Sequence, residues 1–297
     1  MRLVVTGATG FVGRSLCQRL REERHRVWEV RRPASAPSAE SSIEWIRCDL
    51  HDRIDFGDWP GNIEAVVHLA QSARYREFPE GGDDVFNVNV RSTFDLLDYA
   101  SKTGVRQFVF ASTGGVVGHK EQSSPANTVD GQQPLDFYLT SKTAAELIVE
   151  SYVGRLSTAI LRCFFVYGPG QTRDRLIPRL ISNIRSGRPV TLYGETGIQM
   201  NPVFIDDAVE AFSRSLGNKT HMRMDVAGKE VMTLREISTV IGDVVRRDPI
   251  FDLQPAANPS SLVGDIASAQ YAEPRITFAE GIRRTVEWES NRAKAVE

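Results

Sequence analysis

The chain has 297 residues, of which 41% are hydrophobic and 25% charged, and this composition predicts a globular core and excludes global disorder. Its formal net charge of −2 gives no electrostatic basis for binding nucleic acid, and no apolar run is long enough to cross a membrane. Three cysteines without CxxC spacing, and a strand pattern directly after Met1, predict a reduced cytoplasmic protein without a signal peptide. The histidines lack metal-ligand spacing, so no metal site is expected.

Short apolar runs alternate with amphipathic stretches through the first half of the chain. The runs predict strands, several apolar on both faces, at Leu3–Thr6, Val27–Val30, Ile43–Arg47, Ala65–Ala70, Gln107–Ala111 and Thr158–Arg162. The stretches predict helices at Phe11–Glu23, Asp83–Thr103 and Phe137–Arg155, with Ala144, Leu147, Ile148 and Tyr152 on one face of the third. An Ala/Ser/Pro-rich stretch, Pro33–Ser42, predicts a loop. This alternation is typical of an α/β fold with a Rossmann-type, doubly wound parallel sheet.

The pattern changes after about residue 165. Short helices separated by Gly/Pro-containing segments are predicted at Arg175–Ser186, Asp206–Leu216, Leu234–Arg246 and Phe278–Glu289. We therefore expect a Rossmann domain over residues 1–165 and a smaller C-terminal lobe over 166–297, with some segments of the lobe returning to the main sheet.

A glycine-rich turn, Thr6–Gly13, joins the first strand to the first helix. Glycines let the backbone approach a pyrophosphate closely, and the first N–H groups of the helix then face the phosphates. The spacing is GxxGxxG, and alone such a turn can be merely structural. Its strand–turn–helix setting favours a dinucleotide, with Gly7, Gly10, Phe11, Val12 and Gly13 as candidate contacts.

The second strand ends in Arg31-Arg32. An acid at this position typically holds the ribose 2′-hydroxyl of NAD, whereas arginine suits the 2′-phosphate of NADP. The pair therefore favours NADP slightly over NAD. The alternative is two solvated arginines before a proline loop, and Glu29 is not expected to reach the ribose.

Tyr138 and Lys142 are spaced to share one face of a predicted helix. A neighbouring ammonium favours the phenolate, so Tyr138 could take a proton from a sugar hydroxyl. Ser112 and Thr113 lie at the carboxyl end of a predicted strand, where ligands bind in open α/β sheets. Each pattern alone has an ordinary explanation, because YxxxK arises by chance and a Ser-Thr pair often forms a turn.

Together these motifs resemble the extended short-chain dehydrogenase/reductase family of nucleotide-sugar epimerases and dehydratases. Further matches to its motifs, in chain order, are Cys48–Leu50, His68–Ala70, Asn89–Thr93, Ser112–Gly118, Leu161–Gly170, Val203–Asp207 and Gly281–Trp288. The resemblance implies a catalytic triad of Thr113, Tyr138 and Lys142. It also implies a substrate-binding C-terminal lobe and cofactor contacts from Asp49, Leu50, Leu69, Ala70, Gln71 and Ser112, besides Tyr138 and Lys142.

The chain departs from the family pattern at two places. The 4,6-dehydratases carry an Asp-Glu pair after the catalytic threonine, where this chain has Gly114 and Gly115. Without those acids we expect no dehydration, and we expect open space beside the nicotinamide. Residues that bind the diphosphate in relatives are also replaced, which leaves as candidate substrate contacts Arg74, Phe165, Arg173, Arg175 and Met200.

Three functions remain open from the sequence. The first is an NAD(P)-dependent nucleotide-sugar 4-epimerase, which needs the cofactor, Tyr138 and Thr113. The second is an NADPH-dependent reductase of a keto-sugar or another carbonyl compound, which Arg31-Arg32 favours. The third is a cofactor-binding regulator without turnover, against which the intact Tyr138 and Lys142 argue. A homodimer is expected in each case.

Overall fold

The computed structural model describes residues 1–36, 42–117, 136–255, 261–268 and 272–294. Strands lie at Arg2–Thr6 (β1), Arg26–Arg31 (β2), Trp45–Arg47 (β3), Ala65–His68 (β4), Gln107–Thr113 (β5), Ser157–Cys163 (β6), Val190–Tyr193 (β7), Gln199–Met200 (β8), Met222–Val226 (β9), Met232–Thr233 (β10), Phe251–Gln254 (β11) and Ser261–Leu262 (β12). α-Helices lie at Phe11–Glu22 (α1), Gly82–Phe86 (α2), Ser92–Thr103 (α3), Phe137–Glu150 (α4), Leu176–Ser186 (α5), Ile205–Ser215 (α6), Leu234–Val245 (α7) and Phe278–Lys294 (α8). The predicted loop opens with a 3-10 turn at Pro33–Ser35, and its residues 37–41 lie outside the described residues.

Seven strands form one sheet in the order β3-β2-β1-β4-β5-β6-β9. The pairs β1–β2, β2–β3, β1–β4 and β4–β5 are parallel. Leu3, Val4 and Val5 on β1 are fully buried, so this strand is covered on both faces, as its unbroken apolar run predicts. Helices α1, α3 and α4 pack on the sheet. The predicted Rossmann-type α/β fold is confirmed.

The strand order reverses beside β1. Its neighbours are β2 on one side, paired Leu3 to Val27, and β4 on the other, paired Leu3 to Ala65. In open α/β sheets, ligands bind in the crevice at the carboxyl ends of two such strands. The glycine turn that follows β1 and the segment that follows β4 therefore meet at the expected position of a cofactor.

The predicted helix Asp83–Thr103 is present, but a π-helical turn at Asn87–Arg91 interrupts it between α2 and α3. Asn89 in this turn is buried, and its amide donates to Ser141 Oγ on α4 over 2.9 Å. Its Oδ1 accepts from the backbone N–H of Ser72 over 2.9 Å. The wide turn thus ties the segment after β4 to helix α4. Single π-turns of this kind are frequent at functional sites.

Helix α4 ends at Glu150, earlier than the predicted Arg155. Of the residues predicted on its apolar face, Ile148 and Tyr152 pack against the core, whereas Leu147 was predicted wrongly. Leu147, which the periodicity places on that face, is 57% exposed. The buried face instead carries Lys142 and Glu146 together with Ala145 and Val149. Two ionisable side chains on the inner face shift the apolar pattern, because each has partners inside the fold.

The described chain divides into two compact units. The first comprises Met1–Arg162 and Phe212–Met224, and the second comprises Cys163–Ala211 and Asp225–Glu297. The second unit holds the short sheets β10-β8-β12 and β11-β7. Within it, an added Cβ on Gly281 would lie 2.2 Å from the hydroxyl of Tyr167, so α8 approaches this buried ring closely only because the residue is glycine.

Candidate active site

The glycine turn is packed against the segment after β4. Gly7 has a φ of +67°, and an added Cβ would lie 2.7 Å from the backbone of Leu69 and Ala70. An added Cβ on Gly13 would lie 2.1 Å from the carbonyl oxygen of Gly7. Helix α1 starts after Gly10, which offers no capping side chain to its first N–H groups. First N–H groups without a side-chain cap, next to closely packed glycine backbone, fit the pyrophosphate of a dinucleotide.

Phe11 and Val12 open helix α1 behind this turn and are half-buried. Asp49 closes a tight turn after β3, because its Oδ1 accepts from the N–H of His51 over 3.0 Å. Leu50 is buried in the core beside it. The N–H of Ala70 donates to Thr6 Oγ1 over 3.3 Å, which joins the ends of β1 and β4.

Arg31 is held by a carboxylate at the end of β2. Its Nε and one terminal nitrogen donate to Glu29 Oε2 over 2.8 and 2.6 Å, and its other terminal nitrogen donates to the carbonyl of Ser35 over 3.0 Å. The second oxygen of Glu29 accepts from Arg21 over 2.6 Å. Arg32 is exposed. The two adjacent arginines thus differ, since only Arg31 is engaged with Glu29.

His68 ends β4 inside a hydroxyl network. Its two ring nitrogens lie 2.6 Å from Thr6 Oγ1 and 3.0 Å from Thr93 Oγ1, and the side chain is fully buried. Burial, reinforced by the charge of Lys142, lowers the pKa of His68 to about 3. The ring is therefore neutral at physiological pH and adds no positive charge beside Lys142.

Tyr138 and Lys142 project from the first two turns of α4. Asp136 caps the N-terminus of the helix, because its Oδ1 accepts from the N–H of Leu139 over 3.0 Å. The Tyr138 hydroxyl donates to Gln71 Oε1 over 3.1 Å, so the tyrosine reaches the segment after β4. Its ring contacts that of Tyr75, with 5.0 Å between centroids.

Lys142 links this helix to the end of β5. Its Nζ donates to the carbonyl of Ala111 over 2.6 Å and lies 4.2 Å from the ring centroid of Phe110. Ala111 precedes Ser112 and Thr113 in the strand. Lys142 is buried, with 2% exposure, and these two contacts hold its ammonium at the end of β5.

The hydroxyl of Ser112 is engaged with the protein interior and not with the edge of the sheet. Its hydroxyl hydrogen-bonds Glu146 Oε1 over 2.7 Å. The fully buried Glu146 also accepts from Nε and a terminal nitrogen of Arg162 over 2.8 and 2.7 Å. This buried ion pair was missed from the sequence, although Glu146 follows Lys142 by one helical turn. The hydroxyl of Thr113 accepts from the N–H of Gly115 over 3.4 Å.

The space expected at Gly115 is filled. An ideal Cβ on this glycine would lie 2.7 Å from Cδ2 of Leu139 and 3.5 Å from its Cδ1. The expectation of open space was therefore wrong at Gly115, because the residue after Tyr138 covers it. Gly118, the end of the predicted motif, lies outside the described residues.

The candidate substrate residues occupy both units. Arg74, in the first unit, pairs with Glu77 over 2.7 Å. In the second unit, Arg173 is exposed, Phe165 has a φ of +44°, and Arg175 lies 3.7 Å from Asp174 directly before α5. Met200 is buried in β8, where it pairs with Met232 and Leu262.

The part of the chain that the structure describes contains no group of three or more His, Cys, Asp or Glu side chains arranged to hold a metal ion. Across those same ranges, none of the helices combines the length and the apolar character needed to span a bilayer.

Residues 3–227 match the model of the NAD dependent epimerase/dehydratase family. The chain belongs to this family. The resemblance to extended short-chain dehydrogenases/reductases, which rested on the glycine turn and the Tyr138–Lys142 spacing, is confirmed.

Relatives in the NAD dependent epimerase/dehydratase family include both reaction types. The chain is 29% identical to a dTDP-glucose 4,6-dehydratase of Mycolicibacterium smegmatis, covering 97% of this chain and 93% of that protein. It is 25% identical to a probable UDP-glucuronate 4-epimerase of Rhizobium meliloti, covering 97% and 96%. Among solved structures, MoeE5 in complex with UDP-glucuronic acid and NAD superposes with a TM-score of 0.78 at 27% identity, covering 98% and 100%. The UDP-glucose 4-epimerase of Thermus thermophilus, in complex with NAD, gives 0.77 at 25% identity, covering 97% and 98%.

Proposed function

We propose that the protein is an NAD(P)-dependent nucleotide-sugar 4-epimerase. The observation that carries this proposal is the link between Tyr138, which reaches Gln71 after β4, and Lys142, which reaches Ala111 at the end of β5. Tyr138 and Lys142 thus contact the same edge of the sheet, at the carboxyl ends of its strands, from which the glycine turn extends. Relatives that are 4-epimerases of UDP-glucose and UDP-glucuronate support the substrate class.

The chain's own groups serve the C4 hydroxyl of the sugar. When bound, the nicotinamide supplies the site that accepts a hydride from C4 and returns it. Tyr138, as the phenolate that the ammonium of Lys142 stabilises, takes the hydroxyl proton, is neutral while the sugar is oxidised, and gives the proton back when the hydride returns. Thr113 hydrogen-bonds the reacting oxygen. Gln71, whose amide carries both an acceptor and a donor, orients the tyrosine hydroxyl.

We propose further that the enzyme does not dehydrate its substrate. Elimination across C5 and C6 needs an acid and a base besides the tyrosine that serves C4. Gly114 and Gly115 carry neither, and Leu139, which covers Gly115, has no ionisable group. Because dehydratases are among the relatives, this point needs its own measurement.

Proton NMR of the enzyme with UDP-glucose, UDP-glucuronate and dTDP-glucose tests both statements at once. A 4-epimerase inverts the configuration at C4, so H4 changes between axial and equatorial and its coupling pattern changes, while C6 stays intact. A C6 methyl doublet would show a 4-keto-6-deoxy product and overturn the exclusion of dehydration. Absence of any C4 epimer with all three sugars would overturn the epimerase.

A second candidate, an NADPH-dependent reductase, is favoured by one observation. Arg32 is exposed beside Arg31 at the end of β2, where a 2′-phosphate would lie. We propose that NADP(H) binds through Arg32, with NAD(H) as the alternative. The spectrum of the purified protein separates the two functions, since an epimerase retains its cofactor whereas a reductase exchanges it in each turnover.

The second unit is our proposed substrate lobe, with Phe165, Arg173 and Arg175 as its candidate contacts.

A homodimer is proposed from the exposed aromatic side chains of Phe86 on α2 and Phe94 on α3, which are 51% and 46% exposed. Light scattering of wild type and Phe94→Glu tests the dimer. Cytoplasmic localisation stays a prediction.

A further inference from the structure

Leu139 lies next to both halves of the proposed acid–base site. It follows Tyr138 in the chain, and its backbone is fixed in the first turn of α4 by Asp136. Its two methyl groups lie over Gly115, at 2.7 and 3.5 Å from the place where a Cβ would be. Gly115 in turn donates its N–H to Thr113 Oγ1. The apolar side chain of Leu139 therefore lies between Tyr138, which precedes it in the chain, and Gly115, which is hydrogen-bonded to Thr113.

The position of Leu139 limits the sugar. A hexose whose C4 hydroxyl meets Tyr138 and Thr113 presents the substituents of C3 and C5 to the residues next to them. C3 carries a hydroxyl in the common hexoses. The substituent on C5 is a carbon, C6, so of these two substituents only this one can be an apolar methyl group. Methyl groups offer no hydrogen bond, and a carboxylate buried against them loses water without gaining a partner.

We propose that Leu139 is a specificity-determining residue that selects nucleotide sugars with a methyl group at C5 and rejects those with a C5 carboxylate. This inference rests on the proposed 4-epimerase. It separates this chain from the relatives and solved structures that act on or bind UDP-glucuronic acid. Leu139 acts by contact with the sugar and takes no part in proton transfer.

Three UDP-sugars with the same ring stereochemistry test the proposal, namely UDP-6-deoxyglucose, UDP-glucose and UDP-glucuronate. We expect kcat/KM for C4 epimerisation to be highest for the methyl sugar, about 3- to 10-fold lower for the hydroxymethyl sugar, and at least about 100-fold lower for the carboxylate. Leu139→Gln gives the carboxylate a hydrogen-bond donor and should narrow the gap between the methyl sugar and the carboxylate by about 10-fold or more.

The matched control is Leu147→Gln. This side chain is 57% exposed on the same helix, α4, and the change should leave the three-sugar ratio unaltered. Melting temperatures of both variants show whether they fold. Turnover of UDP-glucuronate within threefold of UDP-6-deoxyglucose, or a ratio that Leu139→Gln leaves unchanged, would overturn the role of Leu139 and leave the epimerase standing.

Calorimetric Kd values for the same three sugars, measured in the presence of NAD, keep the two proposals apart. If no sugar is epimerised but affinity still falls from methyl to carboxylate and Leu139→Gln reverses part of that fall, the epimerase fails and the role of Leu139 holds. Equal affinities, or no binding of any of the three, would overturn it.

Discussion

Arg31 forms two hydrogen bonds to the carboxylate of Glu29, two residues earlier on the same strand. Its third nitrogen is bound to the carbonyl of Ser35, so all three nitrogens have acceptors within the protein. Three of the five N–H donors of Arg31 are thus engaged within the protein, which leaves Arg31 less free to turn toward a 2′-phosphate than the exposed Arg32. The two arginines should therefore behave differently when each is removed.

We expect Arg32→Ala to weaken NADP(H) binding by about 10- to 150-fold, the equivalent of one charge-assisted contact of about 1.5–3 kcal/mol, and NAD(H) binding hardly at all. Arg31→Ala, the matched change, removes one of the two arginines that pair with the buried Glu29 and should lower the melting temperature. Calorimetry with both dinucleotides measures the affinities. A wild-type preference for NAD(H) would contradict the NADP proposal.

Tyr138→Phe should lower kcat by about two to four orders of magnitude, because it removes a positioned acid–base group. Cofactor affinity should change little, since one hydroxyl is lost and the ring stays against Tyr75. Steady-state kinetics and a cofactor titration measure the two effects. Tyr193→Phe is the control, because Tyr193 is 66% exposed on β7. Activity of Tyr138→Phe within threefold of wild type would rule out this residue as the base.

Glu146→Ala should lower the free energy of unfolding by about 3–5 kcal/mol, because it removes the buried carboxylate that pairs with the guanidinium of Arg162. Replacing both residues, as Glu146→Leu with Arg162→Met, should recover much of the loss. Asp98→Ala is the control. Its exposed pair with Lys102 on α3 should contribute about 0.5 kcal/mol or less. Urea unfolding of the wild type and the three variants gives the four free energies of unfolding. Equal decreases for Glu146→Ala and Asp98→Ala would contradict the prediction.

His68 should make the fold sensitive to mild acid. Its pKa is about 3 in the folded protein, against 6.5 as the ordinary value, so the unfolded chain binds the extra proton between those limits. The stabilisation is complete above pH 6.5 and falls as the pH decreases, with a slope of up to about 1.4 kcal/mol per pH unit.

His68→Gln should remove this slope between pH 6.5 and 5, where carboxylates titrate little. Urea unfolding of both proteins at half-unit steps measures it. His25, whose pKa is also lowered by burial and by the N-terminal ammonium, contributes equally to both proteins and cancels in the difference. Parallel pH profiles would show that His68 is not the group responsible.

Local pattern in the sequence was enough to predict the fold class and to select the residues of the candidate site. Unbroken apolar runs such as Leu3–Thr6 require a strand covered on both faces, and the glycines at Gly7 and Gly13 require close backbone approach, so both could be predicted without knowing the neighbours. The spacing of Tyr138 and Lys142 is equally local, because residues four apart share a helix face.

Only the tertiary structure decided which side chains those elements bring into contact. Glu146 is buried because Arg162 on β6 and Ser112 on β5 meet it, and Leu139 covers Gly115. Helical periodicity assigned Leu147 to the inner face, yet it is exposed, since the paired charges occupy that face instead. Such contacts depend on the packing of a helix against two strands, and spacing along one element carries no information about it.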